Sequence, residues 1–492
     1  MVKFVKLNET FIKIVCEKSV LLEISKQFEY TQKNYQYTPQ ARKGWDGIIK
    51  MISTRNGNFL SGLLKEVILK FKELGYNEFT FEGFDNAKSE YTENAVLSAL
   101  DEFKLKDDSG SGIEIREHQL NAILTCLCGM RRIIESPTAS GKSLIIYSII
   151  RILIDSGKKI LLITPNSVLV DQLLNDFKQY EQYDDFGIEN YTHKVYAGQE
   201  KTSNKQLVIS TWQSCNLVSK ETLESYDCVL SDECHTCTAA ILKGIVENCI
   251  NAKYKFGFTG TLSGGIIPQL VMLGLFGTAK KVISIKELMD KGLVAKLKIK
   301  CIVLEYPEHI KKLVSGMEYD DELNTIIRYE NRNRFIANLA DKIEGNTLII
   351  IRFIEKHADV LKSYIDDKNN KITYLLTGDT KNDEKTLVKE HMETVTNTNL
   401  MGSWGLVSTG MSIINLNNGI WASPSVSEIR VKQAIGRLLR KGKNKDSAIQ
   451  YDIVDNLTYD GNYNHLMRHF KKRVQYYRNE GFEYEIIKVK IS

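Results

Sequence analysis

Residues 136–143 read SPTASGKS, between the apolar run RRIIE (131–135) and the longer apolar stretch LIIYSIIRILI (144–154). A short strand, a small-residue loop and a helix in that order are what a phosphate-binding loop requires. Successive backbone N–H groups and the helix N-terminus then face anionic oxygens. The octapeptide fits G-x-x-x-x-G-K-[ST], with Ser136 in the first glycine place and Ala139 where a glycine is common. On this reading Ser136, Pro137, Thr138, Ala139, Ser140 and Gly141 wrap the phosphates. Lys142 sets its charge on the β/γ oxygens, and the Ser143 hydroxyl takes Mg²⁺. The competing reading is a plain serine-rich turn.

A second stretch decides between them. VLSDECH (229–235) ends an apolar run on two acids, Asp232 and Glu233. A carboxylate at a strand end is what Mg²⁺·ATP chemistry needs: Asp232 to hold the metal, Glu233 to orient and deprotonate the attacking water. Two acids alone would read as solvated; paired with the loop, they select the nucleotide reading, with ATP and Mg²⁺ as cofactors.

Around these two stretches the pattern is periodic. Short β-rich runs, KILLIT (159–164), QLVIST (206–211), DCVLS (227–231) and KFGFTG (255–260), alternate with helical spacing such as SVLVDQLLNDFKQY (167–180). That alternation predicts a parallel sheet covered by helices. A second series repeats the plan: TLIIIR, KITYLL, GLVST (405–409) and SAIQYDIV. The N-terminal piece mixes strand-like FIKIVC with a helix from about Leu63 to Leu74, a small α+β module ending near the polar KDDSGSG (106–112). The expected organisation is therefore an α/β chain. An α+β domain spans 1–105, two tandem α/β domains span 106–295 and 296–460, and a basic helical extension spans 461–492.

Composition narrows the class. The 492 residues are 43% hydrophobic and 26% charged, with a net charge of +5. That suits a multidomain globular chain and permits a nucleic-acid partner without demanding one. No apolar run approaches a membrane span, and MVKFVKLNET has no signal-peptide pattern, so a cytoplasmic protein without a membrane partner is expected. Nine cysteines, all between Cys16 and Cys301, read as reduced thiols, and Cys126 and Cys128 on an apolar helix read as core. The cluster at Cys234, His235, Thr236 and Cys237 lacks the second ligand pair of a zinc site.

Eight segments then occur in series: IREHQLNAI, SPTASGKS, LLITPNSVLVDQ, VISTWQS, SDECH, FTGTL, STGMSI and QAIGRLLR. Their order and spacing, over about Ile115 to Asp455, resemble the motifs of superfamily 2 helicases. Three further cues resemble the UvsW-type recombination and repair helicases of tailed phages: YTPQARKGWDGIIKM, GTL followed by LFG, and HFKKRVQYYRNEGFEYE. The resemblance implies two tandem RecA-like motor domains, the first with the Q-motif and motifs I to III, the second with motifs IV to VI. It implies an ATP-dependent DNA helicase that unwinds and remodels forks, Holliday junctions and R-loops and can anneal strands.

Residue roles follow from the resemblance. Gln119 would read adenine with Arg116 nearby, and Gly410 and Gln433 would adjoin the nucleotide. His235, Thr259, Gly260 and Thr261 would couple nucleotide state to the DNA track. Arg437 and Arg440, three apart and so expected on one helix face, would stabilise the transferred phosphoryl group. Pro165, Thr211, Phe353 and Thr377 would hold phosphates along a strand, giving little sequence preference. Arg42, Lys43 and Trp45 combine charge with an aromatic ring; Trp45 either stacks on a base or fills a GWDG turn. Arg468, Lys471 and Lys472, with Arg473 and Arg478, form the basic face of an amphipathic helix, read as DNA-binding. The implied partners are branched or forked DNA, RNA–DNA hybrids, and a single-strand-binding or recombination protein, for a monomer or weak oligomer in the host cytoplasm. An RNA helicase, a restriction-type motor and a non-catalytic nucleotide-gated clamp remain as alternatives.

Overall fold

Alternating β-branched runs and helical spacing become two parallel sheets, each wrapped by its own crossover helices. The structure is a computed structural model describing residues 1–32, 34–85, 88–106, 110–196, 200–235, 239–262, 265–368, 370–408, 413–442 and 445–491. The chain divides into two compact units, Met1–Ser136 with Gly141–Val282, and Pro137–Ser140 with Ile283–Ser492.

In the first unit a seven-stranded sheet runs Ala279–Lys281, Arg131–Glu135, Tyr254–Thr259, Cys228–Ser231, Ile160–Thr164, Leu207–Thr211, Thr192–Val195, all neighbours parallel. Ile160–Thr164 is buried along its whole length, because helices cover both faces and leave no polar side for alternation. The helix Lys142–Asp155 buries every residue from Leu144 to Ile154.

The second unit holds another seven-stranded parallel sheet: Thr373–Leu376, Asn399–Ser403, Thr347–Ile351, Asn418–Trp421, Ser447–Asn456, Lys296–Glu305, Glu483–Lys490. Its core gathers Ile349, Ile351, Met401, Ile420 and Ile453, each stabilising by roughly 1.5–3 kcal/mol when fully buried. These are the tandem RecA-like sheets anticipated above.

Three local expectations change. The described part of GLVST, residues 405–408, is not a strand: the strand is Asn399–Ser403 and a helix, Trp404–Ser408, follows it at once. Five apolar residues cannot distinguish the two by period. Here the chain reverses over Gly402, where any Cβ would meet Leu406, and the Trp404 indole donates to the Ser423 carbonyl at 2.8 Å. Secondly, the C-terminal region is more than a helix. His465–Asn479 is followed by Glu483–Lys490, which pairs with Lys296–Glu305 as the outermost strand. Thirdly, Cys128 is exposed, unlike buried Cys126, because it lies on the outer side of the helix Glu117–Gly129.

The N-terminal residues form a four-stranded sheet, Asn58–Leu60, Phe11–Val15, Val2–Lys6, Phe79–Glu82, beside the hairpin Glu29–Thr31/Ile48–Lys50. This module shares one apolar core with the motor sheet, from Phe4, Leu60 and Leu63 to Met272, Leu275 and Phe276. Polar pins reinforce it at the beginnings of two motor strands. Arg131 donates to the carbonyls of Glu9 and Leu275, and buried Lys255 donates to Thr10 Oγ1 at 2.6 Å and the Val246 carbonyl at 3.3 Å. Burial, then the nearby Arg131 charge, pushes the Lys255 pKa well down. A Cβ at Gly62 would run into the Leu273 carbonyl, so glycine lets the two backbones touch. Residue 105 is likewise no break in packing: Val96, Leu100 and Leu105 lie in the core that holds Ile123 and Ile149.

Candidate nucleotide and nucleic-acid sites

The strand Arg131–Glu135 runs straight into the loop, and the helix starts at Lys142. Ser136 N–H donates to the Thr259 carbonyl at 2.9 Å, tying the loop's start to the neighbouring strand. Ser140 donates to the Pro137 carbonyl through its backbone at 3.1 Å and its hydroxyl at 2.6 Å. Gly141 has φ 81° and Ala139 φ 70°. The second is a left-handed conformation held by a residue with a Cβ, which costs about 1 kcal/mol; the loop keeps its shape without the glycine. A Cβ at Gly141 would strike the Gln119 amide. Gln119 in turn accepts from the Arg116 N–H at 2.9 Å and caps the helix Glu117–Gly129.

Just past the end of the strand Cys228–Ser231, one strand further across the sheet, Lys142 Nζ lies 2.8 Å from Asp232 Oδ1 and 2.5 Å from Glu233 Oε1. Burial works against the Lys142 charge, but the two carboxylates outweigh it and hold its pKa above the ordinary value. Burial would likewise raise Glu233, yet the Lys142 charge beside it brings it below the usual carboxylate range. Glu233 sits at φ 44°, a positive value in a non-glycine residue at the point where the chain leaves the sheet.

His235 continues the chain of contacts. Its Nδ1 is 2.7 Å from Thr259 Oγ1, which donates to the Thr261 carbonyl at 2.9 Å; Thr261 N–H returns a bond to Thr259 Oγ1 at 3.2 Å. Because the Thr259 proton is committed to Thr261, His235 Nδ1 is the donor, leaving Nε2 as the acceptor. Burial holds the His235 pKa below its ordinary value, so the ring stays neutral at pH 7. Asp232, Glu233, His235, Thr259, Gly260 and Thr261 are thus one connected edge of the sheet.

The Ser143 hydroxyl and the Asp232 carboxylate are hard oxygen donors, a set that fits Mg²⁺ and not a soft metal. Among the described residues no group of three or more His, Cys, Asp or Glu gathers to cage an ion. Mg²⁺ commonly keeps water and phosphate ligands, and such a sparse protein set matches that habit.

In the second unit, Gln433 and Arg437 lie half-buried on the helix Glu428–Leu438. Arg440 does not share that helical face, because the helix ends at Leu438 and Arg440 lies in the following turn. Gly410 lies outside the described residues.

The strand-phosphate candidates sit at or just past the C-terminal ends of parallel strands, where open α/β sheets bind ligands. Pro165 follows Ile160–Thr164, Thr211 ends Leu207–Thr211, Phe353 follows Thr347–Ile351 and Thr377 follows Thr373–Leu376. Thr211 caps the next helix, its Oγ1 accepting from Ser214 N–H at 3.3 Å. Thr377 N–H donates to Thr380 Oγ1 at 2.9 Å.

Arg468, Lys471 and Lys472 are exposed on the helix His465–Asn479, but Arg473 is fully buried. Its guanidinium forks onto Asp452 with both bonds at 2.9 Å, and the Tyr477 hydroxyl donates to the same carboxylate at 2.8 Å. It belongs to the packed face. Sequence reasoning missed what surrounds Phe353: the Arg352 guanidinium lies 5.0 Å from the Tyr319 ring and 5.2 Å from the Phe353 ring. Tyr319 meets His469 of the C-terminal helix at 5.0 Å. Arg352 immediately precedes Phe353, but nothing in the local sequence marks Tyr319.

In the N-terminal module Arg42 and Lys43 are exposed on the turn Ala41–Lys43. Trp45 is half-buried: its indole donates to the Ile48 carbonyl at 3.3 Å and meets Tyr35 edge-on at 6.3 Å. The ring is part of a small local cluster and stays partly exposed.

Comparison with known proteins agrees with this arrangement. The family model described as type III restriction enzyme, res subunit, matches residues 112–264. The ATP-dependent DNA helicase uvsW of Enterobacteria phage T4 is 28% identical over 491 residues, 96% of each chain. Helicase 22 of Sulfolobus islandicus filamentous virus is 22% identical over 484 residues, covering 92% of this chain and 82% of its own. Among solved structures, the crystal structure of T4 UvsW covers 100% of both chains with a TM-score of 0.52 and 26% identity.

Proposed function

We propose that this superfamily 2 helicase of the UvsW type, an ATP-dependent enzyme, uses nucleotide hydrolysis to unwind and remodel branched DNA. The observation that carries the reading is the Lys142–Asp232–Glu233 cluster beside a phosphate-type loop. Full-length similarity to a phage DNA helicase supports it; the restriction-type match spans only 112–264.

On this reading the Ser136–Gly141 backbone cradles the phosphates and Gln119, with Arg116, recognises adenine. Lys142 exchanges its carboxylate contacts for β/γ oxygens. Ser143 and Asp232 hold Mg²⁺, which supplies charge neutralisation at the phosphates when bound. The released Glu233 carboxylate orients and deprotonates the attacking water. Arg437 and Arg440 stabilise charge on the transferred phosphoryl group, with Gln433 and Gly410 near the nucleotide. The His235–Thr259–Thr261 chain passes the state of Glu233 to the strand ends carrying Thr211 and Pro165. Phosphates of the tracked strand lie there and at Phe353 and Thr377, with Arg468, Lys471 and Lys472 adding a basic face. Arg42, Lys43 and Trp45 engage the branch point.

The test is ATPase rate measured with single-stranded, duplex, forked and four-way DNA and with RNA of matched length. Strongest stimulation by forked or four-way DNA supports the proposal. Stimulation by RNA alone favours an RNA helicase, and absent turnover on every polymer favours a clamp.

A further inference from the structure

Glycine in a helix interior weakens the helix relative to alanine, so a buried one calls for a reason outside the helix. Gly244, in the helix Ala239–Asn248, has none: a Cβ there would meet nothing within 4 Å. Gly274, in Ile266–Phe276, has one, because a Cβ there would press on the Leu60 and Leu63 side chains of the N-terminal module. Gly436 is of the second kind. It lies buried in the helix Glu428–Leu438, and its φ is outside the left-handed region, so the backbone itself would accept alanine.

Thr138 fills the space. A Cβ at Gly436 would have the Thr138 Cβ, Oγ1 and Cγ2 as its three nearest atoms, the last two at 2.7 and 2.8 Å. The closest is the Cβ, which no change of rotamer moves, so an added methyl group has to displace the backbone that carries it. That backbone is the turn Pro137–Ser140, closed by the Ser140 bonds to the Pro137 carbonyl and left-handed at Ala139. These four residues belong with Gly436 to the second compact unit, whereas Ser136 and Gly141 on either side belong to the first.

We propose that Gly436 is a positioning residue: its bare backbone is the notch in which Thr138 seats, and that seating sets the turn Pro137–Ser140 beside Arg437, the next residue of the helix. An arginine stabilises a transferred phosphoryl group only from close range, so the notch serves the hydrolysis step more than nucleotide binding. The inference rests on the phosphate-loop reading above and adds to it a residue with no reacting group of its own.

The test is Gly436→Ala in the full chain. Alanine is the better helix former, so the helix tolerates the change. Forcing a methyl group against fixed atoms should lower single-turnover ATP hydrolysis by about tenfold to a hundredfold, while affinity for a fluorescent ATP analogue changes by less than about threefold. Thr138→Gly removes all three opposing atoms. In that background Gly436→Ala should cost less than about threefold, because the two changes act at one contact. A glycine needed only by its own helix would show no such relief. Parent-like hydrolysis in Gly436→Ala, a loss of affinity as large as the loss of rate, or an undiminished effect in the Thr138→Gly background overturns the inference. Failure of the underlying reading looks different: Lys142→Ala would then hydrolyse ATP as the parent does.

Discussion

Replacing Thr10 by valine tests whether the N-terminal module and the first motor sheet are one folding unit. Valine matches threonine in shape but takes away the acceptor that Lys255 Nζ meets at 2.6 Å. Lys255 has no exposed surface, so water does not replace the lost bond, and the amine keeps the Val246 carbonyl at 3.3 Å. A buried donor deprived of a partner costs about 1–3 kcal/mol. For a unit of this size each kcal/mol moves the melting temperature by about 2–4 °C. The assay is calorimetry or circular dichroism on the full chain. Thr10→Val should lower the melting of the whole first unit by several degrees, without a separate early transition. Thr10→Val with Lys255→Met should recover most of the loss, since removing both partners is nearly neutral. A small, independent transition shifting alone would refute the shared core. On the same reasoning, deleting residues 1–105 should give an unstable motor, because Met272, Leu275 and Phe276 lose the side chains that bury them.

Glu233→Gln should leave ATP binding within about threefold while slowing hydrolysis by about 10²-fold or more, since only water activation is lost; equilibrium binding beside single-turnover hydrolysis separates the two. Arg437→Ala and Arg440→Ala should each lower the hydrolysis rate more than nucleotide affinity, as expected of groups acting on the transition state; unchanged rates in both variants would remove them from catalysis. His357 is buried, and burial, then the Arg332 charge, lowers its pKa from 6.5 to about 3. Between those values the unfolded chain binds a proton that the folded chain refuses, so stability falls as pH drops from about 6.5 towards 3, by up to about 1.4 kcal/mol per unit. His357→Gln should flatten that part of the pH–melting curve.

The loop geometry around Lys142 and the placement of the acid pair at a strand end were readable because each is local: a strand, a turn and a helix within a few residues. The core strands were readable because parallel sheets leave continuous apolar runs. Long-range pairing was not. Thr10 and Lys255 meet across 245 residues, and neither carries a local mark. Arg473 looked like another charge on a basic helix, since periodicity identifies a buried face but not an Asp452 waiting beneath it. Trp45 had two readings; its ring meets Tyr35 edge-on and is half-buried, a contact that neither reading of the GWDG stretch named.

The outermost strand of the second sheet has a consequence for synthesis. Lys296–Glu305, largely apolar, is hydrogen-bonded on one side by Ser447–Asn456 and on the other by Glu483–Lys490. While the chain is being made, that second side waits for the residues that emerge almost two hundred positions later. Throughout that interval it is a bare strand edge with apolar flanks, the kind of surface that pairs with a neighbouring chain. A product stopped at Glu480 would keep the edge open permanently. It should accumulate as aggregate even though every residue named in the nucleotide site is present.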